Sequence, residues 1–175
     1  MSDPKPAPIP ADDPARSLAV AVPDDPGLPH IGLVGDTYTI LLSGEQTAGR
    51  FTTIDMHVPT GGGPAPHRHD FEEMFTVLEG EVEATFRGQK SVVRAGETIN
   101  IPANAPHSFT NAQQAPARLL CVCAPSGQDE FFEKIGVRVD GRTTPPPKLD
   151  DEEQAATTEK MKELAPQYRT QPLGP

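Results

Sequence analysis

The chain has no tryptophan and only two tyrosines among its 175 residues, and aromatic side chains make up 5% of it. Hydrophobic residues reach just 35%, against 21 prolines and 15 glycines, a polar and turn-forming share too high for a helical bundle. Many short strands fit that composition better. No apolar stretch approaches the roughly 20 residues that span a bilayer as a helix. The N-terminus, MSDPKPAPIPADDP, lacks the basic and apolar regions of a signal peptide. A cytoplasmic protein without a membrane partner is the expectation. Basic residues are also scarce: 15 Lys and Arg face 25 Asp and Glu, for a formal charge of -10. Nucleic acid and anionic lipid both demand a basic surface that displaces counterions, so neither is expected as a partner. A small-molecule substrate remains. Cysteine is limited to Cys121 and Cys123, two apart on an expected strand and poorly placed to bridge, so they read as free thiols filling the core.

Three regions follow from the texture of the chain. Residues 1–30 hold eight prolines and scattered aspartates. Only Leu18–Val22 could form a strand there, on this chain or on a partner, and a loose Pro-rich arm is the preferred reading. Residues 31–127 carry short apolar runs punctuated by Gly and Pro. They predict strands at Tyr38–Leu42, Arg50–Val58, Glu73–Leu78, Glu81–Phe86, Ser91–Val93, Thr98–Ile101, His107–Asn111 and Arg118–Cys123. Eight strands at this spacing suggest an all-β, two-sheet jelly roll. Residues 128–175 form a helical extension. Ser126 is placed to cap a first helix bearing Phe131, Phe132 and Ile135, and Asp150–Leu164 reads as a second helix stopped by Pro166.

The chemistry concentrates around His67-Arg68-His69. On an extended segment the two imidazoles point to one side. With Glu73 and the later His107 they give three nitrogens and one carboxylate, a donor set suited to a single divalent Fe, Mn, Ni, Co, Cu or Zn. The surrounding spacing sharpens this. Gly61, His67, His69, Glu73 and Gly80, then after fifteen residues Gly96, Pro102, His107 and Asn111, resemble the two signature motifs of the cupin superfamily in its small single-barrel form. One position departs, Asn104 standing where the second motif usually has Gly, but Asn tolerates a left-handed backbone.

The resemblance implies a double-stranded β-helix barrel with His67, His69, Glu73 and His107 as metal ligands, and by default a homodimer. The tail after the barrel, Ala124-Pro125-Ser126-Gly127 followed by Phe131-Phe132, resembles quercetinase-like monocupins. In that group the residue matching Glu73 also serves as the base that takes a substrate hydroxyl proton. A dioxygenase cleaving a small enol or phenolic, flavonol-like compound is therefore the leading expectation. The alternatives are an O2-independent isomerase or decarboxylase of a small hydroxy or keto acid, and a non-catalytic binding module. His57 is a candidate for the mouth of the barrel. Phe75 and Phe109 share strand parity with Glu73 and His107, which makes them candidate pocket walls. His30, beside Pro29, is expected to be exposed.

Overall fold

The computed structural model describes residues 8–174, so the first seven residues of the expected arm lie outside the described part. The strands are β1 (His30–Leu33), β2 (Asp36–Leu42), β3 (Thr52–Val58), β4 (His67–His69), β5 (Glu72–Glu79), β6 (Glu81–Phe86), β7 (Gln89–Arg94), β8 (Thr98–Ile101), β9 (His107–Thr110) and β10 (Ala117–Ala124). They are followed by α1 (Gln128–Ile135), β11 (Val137–Arg138), α2 (Asp151–Leu164), a 3-10 turn (Ala165–Tyr168) and β12 (Thr170–Pro172). Two antiparallel sheets result, one ordered β11, β1, β2, β3, β10, β5, β8 and the other β12, β4, β9, β6, β7. This is the double-stranded β-helix implied by the sequence, with short helices after the barrel.

Strand alternation explains why the sheets close on each other. In β10, Ala117, Leu119, Cys121 and Cys123 are buried while Arg118, Leu120, Val122 and Ala124 are half-buried. In β5, Glu73, Phe75 and Val77 turn inward. Ile54, Met56 and Val58 do the same from β3. Inward residues of both sheets meet as one apolar core, the main source of stability in such a fold. Glu73 is the exception, a carboxylate in a row of hydrophobes.

The outer face of the seven-stranded sheet is covered as well. His30 is not exposed: it is 2% accessible, with Nδ1 2.8 Å from Thr39 Oγ1 and Nε2 3.1 Å from the Asp25 carbonyl. The cover is non-local, since Thr37 donates to the Thr144 carbonyl at 2.7 Å and a Cβ on Gly32 would lie 2.6 Å from Pro146. Leu18–Val22 forms no strand, and Leu18 and Val20 are 91% and 82% accessible.

The C-terminal extension does more than form helices. Ser126 does not cap α1. Gly127 occupies the N-cap with no side-chain cap, and the Asp129 carboxylate instead accepts from the Thr52 hydroxyl at 2.8 Å and the Gly44 amide at 2.7 Å, tying α1 to the barrel. Phe131 and Ile135 are buried, and Phe132, Met161, Leu164 and Tyr168 pack against the core. Asp150 and Glu153 form a complete capping box at the start of α2. Beyond the 3-10 turn, β12 pairs with β4 in the register Thr170 to His69, Gln171 to Arg68 and Pro172 to His67. The strand bearing the two neighbouring histidines is thus an interior strand between β12 and β9. No helix of the described residues is long and apolar enough to cross a membrane.

Candidate metal centre

Four side chains from three strands meet at one end of the barrel. β4 supplies His67 and His69, β5 supplies Glu73 and β9 supplies His107, and one donor atom from each lies within 4.8 Å of the others. Local structure fixes each ring. His67 and His107 are paired across β4 and β9, with centroids 4.3 Å apart. Phe71 stacks on His69 at 3.8 Å with the rings 5° from parallel. Asn104 takes the left-handed conformation required of the residue replacing Gly, at φ 69°, and its amide donates to the His69 carbonyl at 2.7 Å. The loop leading to β4 is fixed by Gly63, where a Cβ would lie 2.1 Å from the Phe109 carbonyl oxygen. It is held further by Asp36, whose carboxylate accepts from the Gly63 amide at 3.1 Å. Burial pushes the Asp36 carboxyl up to about 7 despite hydrogen bonds from Tyr38 and Gly63.

The hydrogen bonds select one imidazole tautomer. Nδ1 of His67, His69 and His107 lies 2.8, 3.0 and 2.9 Å from the carbonyls of Ala65, Phe71 and Ala105. A carbonyl only accepts, so each Nδ1 carries the proton and each neutral ring presents a lone pair on Nε2. Nε2 of His69 and of His107 stand 2.9 and 3.1 Å from Glu73 Oε2. Facing acceptors at that range require positive charge between them, either protons or a cation. Burial, reinforced by the charge of His107, lowers His67 to about 4, so this ring is neutral at ordinary pH. Burial opposes charge on His107 too, but its hydrogen bond to Glu73 prevails and raises it. Glu73 is held well below the carboxylate range because hydrogen bonds from His107 and His69 outweigh its burial. An ionised carboxylate and imidazoles with Nε2 turned inward form a His3Glu cluster that fits a divalent transition metal. The donor set does not choose the element.

Phe75 and Phe109 lie below the cluster as an edge-to-face pair with centroids 5.3 Å apart. The void remaining there is about 10 Å³, lined by Phe75, Val77, Val82, Phe109, Leu119 and His107 among others. That is room for about one water, and His67 is the one member of the cluster not fully buried. His57 does not line the mouth. It has the opposite parity to Ile54, Met56 and Val58 and lies on the outer face, between Thr37 and Arg118. There Arg118 Nε donates to the buried Asp55 at 2.8 Å. The alternation was visible in the sequence, and the apolar parity already marked the inward face. Cys121 and Cys123, read as core residues, are buried and free, but they also touch Glu73. A larger hollow of about 330 Å³ lies between Phe71, Pro125 to Gly127 and Tyr168 to Arg169, and none of the four ligands lines it.

Residues 54–123 match the cupin domain family. The barrel has the cupin fold. The chain is 36% identical over 77 residues to an uncharacterised protein of Methanocaldococcus jannaschii, covering 43% of this chain and 62% of the relative. It is 27% identical over 115 residues to quercetin 2,3-dioxygenase of Bacillus subtilis, covering 65% of this chain and 34% of the relative. The chain therefore spans less than two thirds of either relative. Among solved structures it is similar to a predicted oxalate decarboxylase from Thermotoga maritima, with a TM-score of 0.56 and 20% identity over 61% of this chain and 98% of that one. That last likeness is one of fold.

Proposed function

We propose that this cupin is a metal-dependent dioxygenase that cleaves a small enol or phenolic compound with O2, acting as a homodimer. The observation that carries the reading is the convergence of three inward-facing imidazoles and the Glu73 carboxylate at a cluster closed below, with His67 its least buried member. The similarity to quercetin 2,3-dioxygenase supports the choice of O2 chemistry. His67, His69, His107 and Glu73 would hold the metal. Such an ion supplies Lewis-acid polarisation and, where redox-active, electron exchange with dioxygen. The chain's own residues do the rest. The backbone carbonyls of Ala65, Phe71 and Ala105 keep the imidazoles in the binding tautomer. The Phe75–Phe109 pair and its apolar surroundings exclude water from below. Glu73, held ionised, accepts the proton of an arriving hydroxyl at Oε2.

The filled interior favours a compact substrate, and this gives a second reading: an O2-independent isomerase or decarboxylase of a small hydroxy or keto acid. Metal analysis of the purified protein followed by O2 uptake against flavonols, enols and hydroxy acids separates the two. Turnover without O2 consumption sinks the dioxygenase, and no turnover on any substrate leaves a binding module. Glu73→Gln reloaded to full occupancy should lose roughly 10² to 10⁴ in rate if Glu73 is the base. Protons compete with the metal for His107, whose metal-free value is raised above 6.5. Affinity should therefore begin to fall above pH 6.5 as the solution is acidified, with His67 adding its competition only near pH 4.

A further inference from the structure

Glu73 turns its two oxygens toward different partners. Oε2 faces His69 and His107. Oε1 faces two thiols, Cys121 Sγ at 3.5 Å and Cys123 Sγ at 3.6 Å, which are themselves 3.6 Å apart. All three residues are buried, with accessibilities of 4%, 1% and 0% for Glu73, Cys121 and Cys123. Register explains the meeting. β10 runs between β3 and β5, and Cys123 stands directly across from Glu73 with Cys121 across from Phe75. Residues two apart on a strand share a face, so both thiols enter the barrel beside the carboxylate, in line with the inward Ala117 and Leu119. A purely apolar pair at these positions would leave Oε1 buried without a donor, which is costly for an ionised group.

We propose that Cys121 and Cys123 are positioning residues for Glu73, donating their S–H protons to Oε1 so that only Oε2 faces the three imidazoles. The proposal rests on the metal-binding reading of the cluster. Each neutral thiol has one proton to donate, and Oε1 is the carboxylate oxygen that both sulfurs face. An S–H group is a weak donor, so it orients the carboxylate without locking it. Oε1 can leave the thiols when Glu73 rotates to take a proton. With Oε1 held by the thiols, Oε2 is the oxygen that would hold an ion together with the imidazoles.

The test compares Cys121→Val/Cys123→Val, which keeps the shape and removes both donors, with Cys121→Ser/Cys123→Ser, which keeps a donor at each position. Each is loaded with Co(II) and measured by chelator competition and by the infrared splitting of the carboxylate stretches. The valine variant should bind Co(II) about 10- to 100-fold more weakly, the range for losing an outer partner of a metal ligand, and its splitting should shift toward two-oxygen binding. The serine variant should restore both readouts to near the parent. The single Cys123→Val variant carries the comparison if the double variant does not fold. Unchanged affinity and splitting in the valine variant overturn the proposal. So does thiolate-to-metal charge-transfer absorption in the Co(II)-loaded parent, which would make the cysteines ligands. A parent that binds no Co(II) overturns both this assignment and the metal-binding reading, whereas a binding parent with an unaffected valine variant overturns only the assignment.

Discussion

Residues 8–29 and residues 141–174 are both punctuated by proline, yet only the second segment reaches the sheet that carries the three clustered histidines. The arm touches the rest of the chain at a few polar points, among them Arg16 Nη2 to the Gln46 carbonyl at 2.9 Å and Arg142 to Asp24 at 2.9 Å. Its apolar residues Leu18 and Val20 remain exposed. The tail has a capped helix, a fully buried Ala165, and Tyr168 stacked on Phe131 at 5.2 Å. Three further residues then add to β4. Similar composition gives opposite outcomes because docking needs anchors: a cap to hold a helix, one apolar side chain with a matching recess, and backbone groups that find an open strand. The arm has apolar residues but no recess on its own chain.

The comparison breaks hardest at the tail. Ending the chain after Leu164 removes Ala165, Tyr168 and β12. Losing one or two buried side chains costs about 3 kcal/mol, or a drop in Tm on the order of 10 °C for a domain of this size. Metal should also be released to a chelator more readily, because β4 becomes an edge. Unchanged melting and metal retention would show that β12 does not support the site. A smaller effect is expected from Asp150→Ala, which removes the cap of α2 and costs about 1 kcal/mol. Faster amide exchange in α2 with unchanged metal affinity is the expected pattern. Loss of metal there would mean that α2 itself, and not only β12, positions the histidines. The smallest effect belongs to Leu18→Ser/Val20→Ser, worth less than about 0.5 kcal/mol if the arm stays exposed. Light scattering sharpens this case. A fall in mass from dimer to monomer would show that the arm is covered by a second copy.

The four-residue cluster was legible because it depends on spacing along the chain. His67 and His69 share a side by strand parity, and Glu73 and His107 sit at fixed distances inside the two motifs. The left-handed turn at Asn104 was legible for the same local reason, and its φ of 69° agrees. What escaped the sequence depends on contacts far along the chain. Thr170-Gln171-Pro172 has no apolar alternation and becomes a strand only because β4 offers a partner. His30 is buried with its ring nitrogens against Thr39 and the Asp25 carbonyl and its own carbonyl accepting from the Val139 amide, contacts that its local sequence does not announce. The inward parity of Cys121 and Cys123 was readable, but their meeting with Glu73 needed the β10 to β5 register. His57 is different, since Ile54, Met56 and Val58 already marked its strand's inward face.

Assembly of the barrel has a non-local step, the pairing of Thr170 with His69. Until Thr170–Pro172 docks, β4 has β9 on one side and solvent on the other. The four clustered side chains all lie upstream of that segment, but the strand carrying two of them is not yet clamped. A protease that clips the chain ahead of Thr170 would therefore loosen the cluster without touching any of its four side chains.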